Sequence, residues 1–282
     1  MHALKLPSGA TFPALGLGTW RMGESRARRS AEVAAVRHAI EIGYRLIDTA
    51  EMYGEGGAEE VVGQALAEAL RAGDVTRDAL FVVSKVYPHN ASKKGTVAAC
   101  ERSLKRLGLD RIDLYLLHWR GQHPLADTAA AMHALRDAGR IVHWGVSNFD
   151  VDDMDELMGV APDGAVNQVY FSLGQRGAGH SLLPWLREHR MPLMAYSPID
   201  QGTLARHEAL ADIGTPLGWT AAQLALAWVL AQAGVAAIPK AVKAEHLRDN
   251  WAAGSAALDA ETLRRLDALF PPPARKPSLA MT

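Results

Sequence analysis

The chain has almost no cysteine. Cys100 is its one thiol, set in the run Ala98-Ala99-Cys100-Glu101 of a helical pattern, so neither a disulfide framework nor a cysteine zinc site can be built. That usage fits a reducing compartment. Charge of one sign is also missing: 30 Lys and Arg face 31 Asp and Glu, a formal net charge of -1, and no basic field exists to attract nucleic acid or an anionic membrane. Long hydrophobic runs are absent too. No apolar stretch reaches membrane-spanning length, and the first residues lack a charged segment followed by an apolar one, so a soluble, unexported, cytoplasmic protein is expected.

What is present is a full apolar complement, 49% of 282 residues, arranged as short apolar runs alternating with amphipathic stretches. That alternation marks a parallel sheet wrapped by helices. Strands are expected at 15–20, 46–49, 80–85, 112–118, 143–147, 166–170, 193–197 and 236–240, and helices at 30–42, 57–70, 92–107, 125–138, 152–158, 182–189 and 220–233. Gly43, Gly73, Gly108, Gly139 and Gly234 stand near helix ends, where glycine accepts a left-handed cap. Eight strands in this order predict an α/β fold, a closed (β/α)8 TIM barrel forming one domain over 1–282. Residues 4–12, with a Pro-Ser-Gly turn, are expected to form an N-terminal β-hairpin plugging the barrel. The segment 198–218, with three glycines and two prolines, reads as a helix-poor covering loop.

Polar residues close the apolar runs. Asp48 follows Leu-Ile, Lys85 follows Val-Val-Ser, His118 follows Tyr-Leu-Leu, and Ser147 with Asn148, Gln168, Tyr196 with Ser197, and Lys240 end the later runs. In a barrel the C-terminal strand ends surround one cavity, so these distant residues converge. Each has a bland reading taken singly: Asp48 as a turn cap, Lys85 reaching solvent, His118 as a hydrogen-bonded core imidazole. Together, and with Tyr53 just past the second run, they form a set that folding alone does not require. A carbonyl receiving hydride needs a proton for its developing alkoxide. Tyr53 can donate one if a neighbouring ammonium, Lys85, stabilises the phenolate; Asp48 would orient Lys85, and His118 would hydrogen-bond the carbonyl oxygen.

The segments Gly-Tyr-Arg-Leu-Ile-Asp-Thr-Ala (43–50) with Tyr53, Val-Ser-Lys-Val (83–86), Leu-Leu-His-Trp (116–119), Gly-Val-Ser-Asn-Phe (145–149), Asn-Gln-Val (167–169) and Ile-Pro-Lys (238–240) resemble the aldo-keto reductase superfamily, in order and over essentially the whole chain. The resemblance implies a catalytic tetrad of Asp48, Tyr53, Lys85 and His118. It sets the nicotinamide carboxamide against Ser147, Asn148 and Gln168 and its ring on Tyr196. Gly18, Thr19 and Asp48 would lie near the ribose, and Ser197, Pro198 and the residues to Leu204 would cover the pyrophosphate. Lys240 would meet the 2′-phosphate, with Asp249 and Asn250 near the adenine.

Departures accompany the match. The segment 54–58 after the tyrosine is longer than the usual family pattern, Ala241 replaces a serine or threonine, and His246 stands where an arginine commonly grips the 2′-phosphate. NADPH is therefore the expected cofactor, by a modest margin, with NADH possible. The segment after Phe270 is short and proline-rich and is expected to leave one side of the site open. Among family branches, Ala-Leu-Gly-Leu-Gly-Thr-Trp (14–20), Val-Tyr-Pro (86–88) and His-Trp-Arg (118–120) are most similar to bacterial reductases of methylglyoxal or keto-sugar acids. Trp20, Tyr87 and Trp119 would then wall the substrate pocket, with Arg120 or Arg176 available for a carboxylate, unless these aromatics are packing residues.

Three rival readings are open at this stage. Lys85 could be a Schiff-base nucleophile of an aldolase, although that chemistry does not need the Ser-Asn, Gln and Tyr set. The barrel could be a non-catalytic cofactor-binding subunit. A metal-dependent hydrolase fits poorly, because the 11 histidines form no His-x-His at a strand end. No metal is expected, and the protein is expected to act as a monomer on a small carbonyl compound.

Overall fold

A computed structural model describes residues 2–282. The hairpin is β1 (Ala3–Lys5) against β2 (Thr11–Pro13), antiparallel. Eight parallel strands follow: β3 (Gly16–Gly18), β4 (Leu46–Asp48), β5 (Phe81–Val86), β6 (Ile112–Leu117), β7 (Ile141–Ser147), β8 (Asn167–Tyr170), β9 (Leu193–Tyr196) and β10 (Val235–Ala237). Each pairs with its sequence neighbour, and parallel bridges Leu15↔Ala237 and Gly18↔Lys240 join last to first. This is the expected (β/α)8 barrel with its hairpin. The closing seam depends on Gly18: a Cβ there would sit 2.5 Å from the carbonyl oxygen of Ile238.

Alternation along the strands builds two cores. Leu46, Val83, Leu114, Leu116, Val166, Met194, Ala236 and Ile238 fill the barrel together with Leu6 and Phe12 of the hairpin region. Phe12 stacks on Phe81 at 5.4 Å, which is how the hairpin plugs the barrel. The intervening strand residues face outward into a larger cluster under the helices.

The helices are α1 (Arg29–Ile42), α2 (Gly57–Ala72), α3 (Lys93–Leu107), α4 (Leu125–Asp137), α5 (Val151–Val160), α6 (Leu182–Glu188), α7 (Glu208–Gly214), α8 (Ala221–Leu230), α9 (Ala244–Ala253) and α10 (Ala260–Leu269). Their ends follow local chemistry. Ser92 caps α3 by accepting from Gly95 N, Asp150 and Thr220 form capping boxes on α5 and α8, and Gly73 and Gly108 end α2 and α3 at φ 78° and 64°.

Three helices depart from the expectation. The segment 198–218 is not helix-poor: it holds α7, a seven-residue element too short to show a periodic stripe, whose Leu210 N–H is accepted by the ring of His207. The other two, α9 and α10, fall in the stretch after Lys240 to which no element was assigned. Expected strand ends also run long where Pro239 interrupts the last run and where β3 stops at Gly18. Among the described residues no single helix is long and apolar enough to cross a membrane.

Candidate active site

The last inward position of most barrel strands is polar: Asp48 two residues beyond Leu46, Lys85 beyond Val83, His118 beyond Leu116, Gln168 beyond Val166, Tyr196 beyond Met194 and Lys240 beyond Ile238. All therefore meet at the C-terminal mouth. Lys85 is wholly buried, and its ammonium donates to Asp48 Oδ2 at 2.8 Å, to the Thr49 carbonyl at 2.9 Å and to Tyr53 Oη at 3.2 Å. Its three N–H donors are thus all used. The second carboxylate oxygen of Asp48 accepts from Gln168 Nε2 at 2.7 Å across the barrel. Tyr53 opens a short 3-10 turn (Tyr53–Gly56) in which Gly54 and Glu55 take left-handed conformations, and its ring meets His118 edge-on at 5.8 Å.

Burial sets the protonation states. It pushes the Tyr53 phenol well above its ordinary value, and the charge of Asp48 adds to the effect. The expected lowering by Lys85 is therefore outweighed in the resting protein, where Tyr53 keeps its proton. Burial likewise lowers Lys85, opposed by Asp48 and Glu59, and raises Asp48, opposed by Lys85 and Gln168. His118 is held well below the usual imidazole value, first by burial and then by the Lys85 charge, so it is neutral at physiological pH. A protonated phenol, a buried ammonium beside its oxygen and a neutral imidazole together form a general-acid constellation.

Tyr53 and His118 face a cavity of about 660 Å³, with Lys85 behind its wall; the volume is that of a small-molecule site. Its wall includes Gly18, Trp20, Asp48, Tyr53, His118, Trp119, Asn148, Gln168, Tyr196, Ser197, Pro198, Lys240, His246, Asp249 and Asn250, all singled out from the sequence. Tyr196 donates to Asn148 Oδ1 at 2.9 Å, and Asn148 Nδ2 donates to the His118 carbonyl at 3.0 Å, which braces the wall around the imidazole. Among the described residues seven non-glycine residues have positive φ, and four of them, Arg21, Asn148, Ser197 and Gln201, line this cavity. Strain of this kind collects where a site holds its geometry against local preference.

Other sequence-derived residues lie elsewhere. Thr19 is fully buried and donates to the Asp48 carbonyl at 2.9 Å, Ser147 donates to the Gln168 carbonyl at 2.8 Å, and Leu204 packs into the apolar core; all three stand behind the wall. Tyr87 is also outside the lining. Its hydroxyl donates to Glu55 at 3.2 Å and its ring packs edge-on to Trp119 at 5.9 Å. Arg120 pairs with Glu156 at 3.0 Å, and Arg176 pairs with Asp267 at 2.9 Å and lies over the Trp228 ring, so neither reaches the cavity. Lys85 is shielded behind Asp48 and Tyr53 with every donor engaged, which does not suit a free amine nucleophile.

Several lining residues carried no sequence signal. The segment after Phe270 does not leave the mouth open: Lys276 binds Asp150 at 3.0 Å, Leu279 packs against the core, and Met281 and Thr282 reach the cavity wall. Met52 and Arg21 could have been suspected as neighbours of Tyr53 and Trp20. Arg206 could not, because it ends an irregular turn (Leu204–Arg206). Among the described residues no three His, Cys, Asp or Glu side chains gather where they could hold a metal ion.

Residues 14–270 match the model of the Aldo/keto reductase family. The methylglyoxal reductase YeaE of Escherichia coli is 45% identical over 99% of this chain and 98% of its own. A glyoxal reductase of Bacillus subtilis is 36% identical over 94% and 92%. The crystal structure of an aldo-keto reductase from Klebsiella pneumoniae in complex with NADPH superimposes with a TM-score of 0.93 at 47% identity, covering 99% of both chains. The chain therefore belongs to the Aldo/keto reductase family of oxidoreductases.

Proposed function

We propose that this protein reduces small uncharged aldehydes, ketones or dicarbonyls such as methylglyoxal to alcohols, with NADPH lying across the barrel mouth. The single observation that carries the reading is the set of three hydrogen bonds from Lys85 Nζ, one of them to Tyr53. The donor set fits the cofactor. Asn148 and Gln168 offer amides at one end of the cavity, the half-buried Tyr196 offers a ring face, and Arg21, Arg206 and Lys240 supply cations for phosphates on the wall that continues to Asp249 and Asn250. The Klebsiella relative with NADPH supports the same choice.

The bound reduced nicotinamide supplies hydride. Tyr53 then gives its proton to the developing alkoxide, and Lys85, hydrogen-bonded to the same oxygen, stabilises the phenolate as it forms. Asp48 holds Lys85 in place. His118, neutral and edge-on to Tyr53, orients the carbonyl oxygen by a hydrogen bond. Trp20, Met52, Trp119 and Met281 give the substrate end an apolar wall that excludes water. With Arg120 and Arg176 engaged in ion pairs, a substrate carboxylate finds no cation from either, which favours methylglyoxal-like compounds over keto-sugar acids.

A cofactor-oxidation screen over matched neutral and carboxylate-bearing carbonyls tests this. Neutral short aldehydes and dicarbonyls are expected to exceed their acidic counterparts in kcat/KM by about tenfold or more, the scale of one missing charge-assisted contact. Equal use of both would sink the substrate assignment, and binding of NADPH without oxidation by any carbonyl would favour a non-catalytic subunit. In the same reading 1–282 act as one domain and as a cytoplasmic monomer, which limited proteolysis, fractionation and size-exclusion chromatography check.

A further inference from the structure

Arg21, Arg206 and Lys240 supply cations to the cavity wall, the imidazole of His246 joins them, and their surroundings differ. His246 stands 3.6 Å from the carboxylate of Glu245, which also holds Lys243 at 3.6 Å. Asp249, on the same helix α9, adds a second carboxyl to that part of the wall. An imidazole placed there meets an incoming phosphate with anions beside it, and it carries charge only when protonated. Lys243 and Arg248, the cations nearest in sequence, do not line the cavity. Arg21 lies over the Trp20 ring at 4.4 Å, on the wall that follows β3.

Arg206 has a different setting. Unlike Arg120 and Arg176, it has no carboxylate within ion-pair distance among the described residues. The turn that ends in Arg206 packs on α8, and α8 packs on α9. The α8 side chain Gln223 further donates to the Asp249 carbonyl at 3.4 Å. The guanidinium is therefore carried to the α8/α9 end of the cavity, where Ala222, His246, Asp249 and Asn250 complete the wall. The chain leading to it is already fixed. Ser197, Asp200 and Gln201 hold left-handed conformations, and the Asp200 carboxylate accepts from Tyr170 Oη at 3.0 Å and from Ser172 Oγ. A permanent, planar and unpaired cation is thus carried on a fixed stretch of chain, in a wall whose nearest alternative is compromised by carboxylates.

We propose that Arg206 is the fixed cation that grips the cofactor's ribose 2′-phosphate together with Lys240, and that Arg206, in place of His246, sets the preference for NADPH over NADH. The assignment rests on reading the cavity as a nicotinamide-cofactor site. It makes that preference strong where the residue at 246 alone would leave it modest.

Calorimetry with two probes that lack nicotinamide, adenosine 2′,5′-bisphosphate and adenosine 5′-monophosphate, isolates this contact from catalysis; fluorescence titrations with NADPH and NADH accompany it. Arg206→Gln is expected to weaken the 2′,5′-bisphosphate and NADPH by about tenfold or more, and 5′-monophosphate and NADH by less than about twofold. Arg206→Lys should restore part of the loss, and His246→Gln should move NADPH affinity by less than about threefold. Equal weakening of all four ligands would place Arg206 on the diphosphate and overturn the assignment. So would an unchanged Arg206→Gln, or a larger loss in His246→Gln, with the cofactor reading left standing. Failure of the parent protein to bind NADPH or either probe would instead remove the cofactor reading, and this inference with it.

Discussion

The phenolic oxygen of Tyr53 stands 3.2 Å from Nζ of Lys85, and the same ammonium is held 2.8 Å from Asp48 Oδ2. One buried cation thus serves two side-chain oxygens, a carboxylate that fixes it and a phenol that needs it only when its proton has left. In the resting protein burial keeps that proton on Tyr53, so the stabilisation by Lys85 is reserved for the moment of transfer.

Replacing Tyr53 by Phe removes the donor and little else, because Lys85 keeps two of its three acceptors. Reductive turnover should fall by about two to four orders of magnitude, the usual worth of a positioned general acid. Cofactor affinity should change by less than about twofold. Single-turnover reduction and fluorescence titration measure the two separately. Near-parent turnover would remove Tyr53 from the chemistry.

Lys85→Met tests a different link. It leaves Asp48 buried with Gln168 as its remaining hydrogen-bond partner, and breaking such a pair costs about 3–5 kcal/mol of stability. Burial already pushes Asp48 upward and Lys85 opposes that push, so the carboxyl should take up a proton in the variant. The double variant Lys85→Met, Asp48→Asn should recover most of the stability, seen in thermal unfolding, and none of the turnover. Recovery of both would make the pair merely structural.

How far this was legible in the sequence follows from strand geometry. Asp48, Lys85, His118, Gln168, Tyr196 and Lys240 each lie two residues beyond a barrel-core apolar residue, and a period of two is enough to place a polar strand end in the mouth. Ser147, which also closes a run, and Thr19, which the resemblance alone named, have their hydroxyls taken by the carbonyls of Gln168 and Asp48. Tyr87 was misleading for another reason: the left-handed Glu55 in the lengthened segment draws its hydroxyl away. Arg206 and Met281 sit on irregular chain that shows no period, and only tertiary packing brings them to the wall.

The pH behaviour of His118 follows from its surroundings. Its folded value lies well below 6.5, so the imidazole stays neutral across the physiological range, and reductive kcat should show no imidazole-type limb between about pH 6 and 8. Below 6.5 the unfolded chain binds a proton that the folded one refuses. Stability is therefore complete above 6.5 and lost as pH falls, by about 1 kcal/mol over the first unit. Denaturant titrations of the parent and His118→Gln at about pH 6.5 and about pH 5.5 isolate this share, since the variant lacks it. A parent that loses no more stability than His118→Gln would mean that the histidine is not held neutral.

The loop that carries Ser197 to Arg206 is packed at Leu204, and its one side-chain polar tether is Asp200, which accepts from Tyr170 and Ser172. The fit there is close: a Cβ at Gly174 would stand 2.2 Å from an Asp200 carboxylate oxygen. Two bonds to an ionised acceptor contribute about 1.5–3 kcal/mol each, while the left-handed Ser197, Asp200 and Gln201 oppose the conformation by about 1 kcal/mol or more apiece. Removing the carboxylate should therefore tip the loop toward release. Asp200→Ala is expected to speed dissociation of the oxidised cofactor by about tenfold or more and to weaken its binding by a similar factor, because the wall that carries Gln201 and Arg206 is no longer preset. Asp200→Asn keeps an acceptor and tolerates the left-handed backbone, so it should stay within about threefold of the parent. Stopped-flow release of the cofactor reads both. If Asp200→Ala releases it no faster than the parent, the loop is held by something other than this contact; if Asn and Ala are equally fast, the negative charge, and not the geometry of acceptance, does the holding.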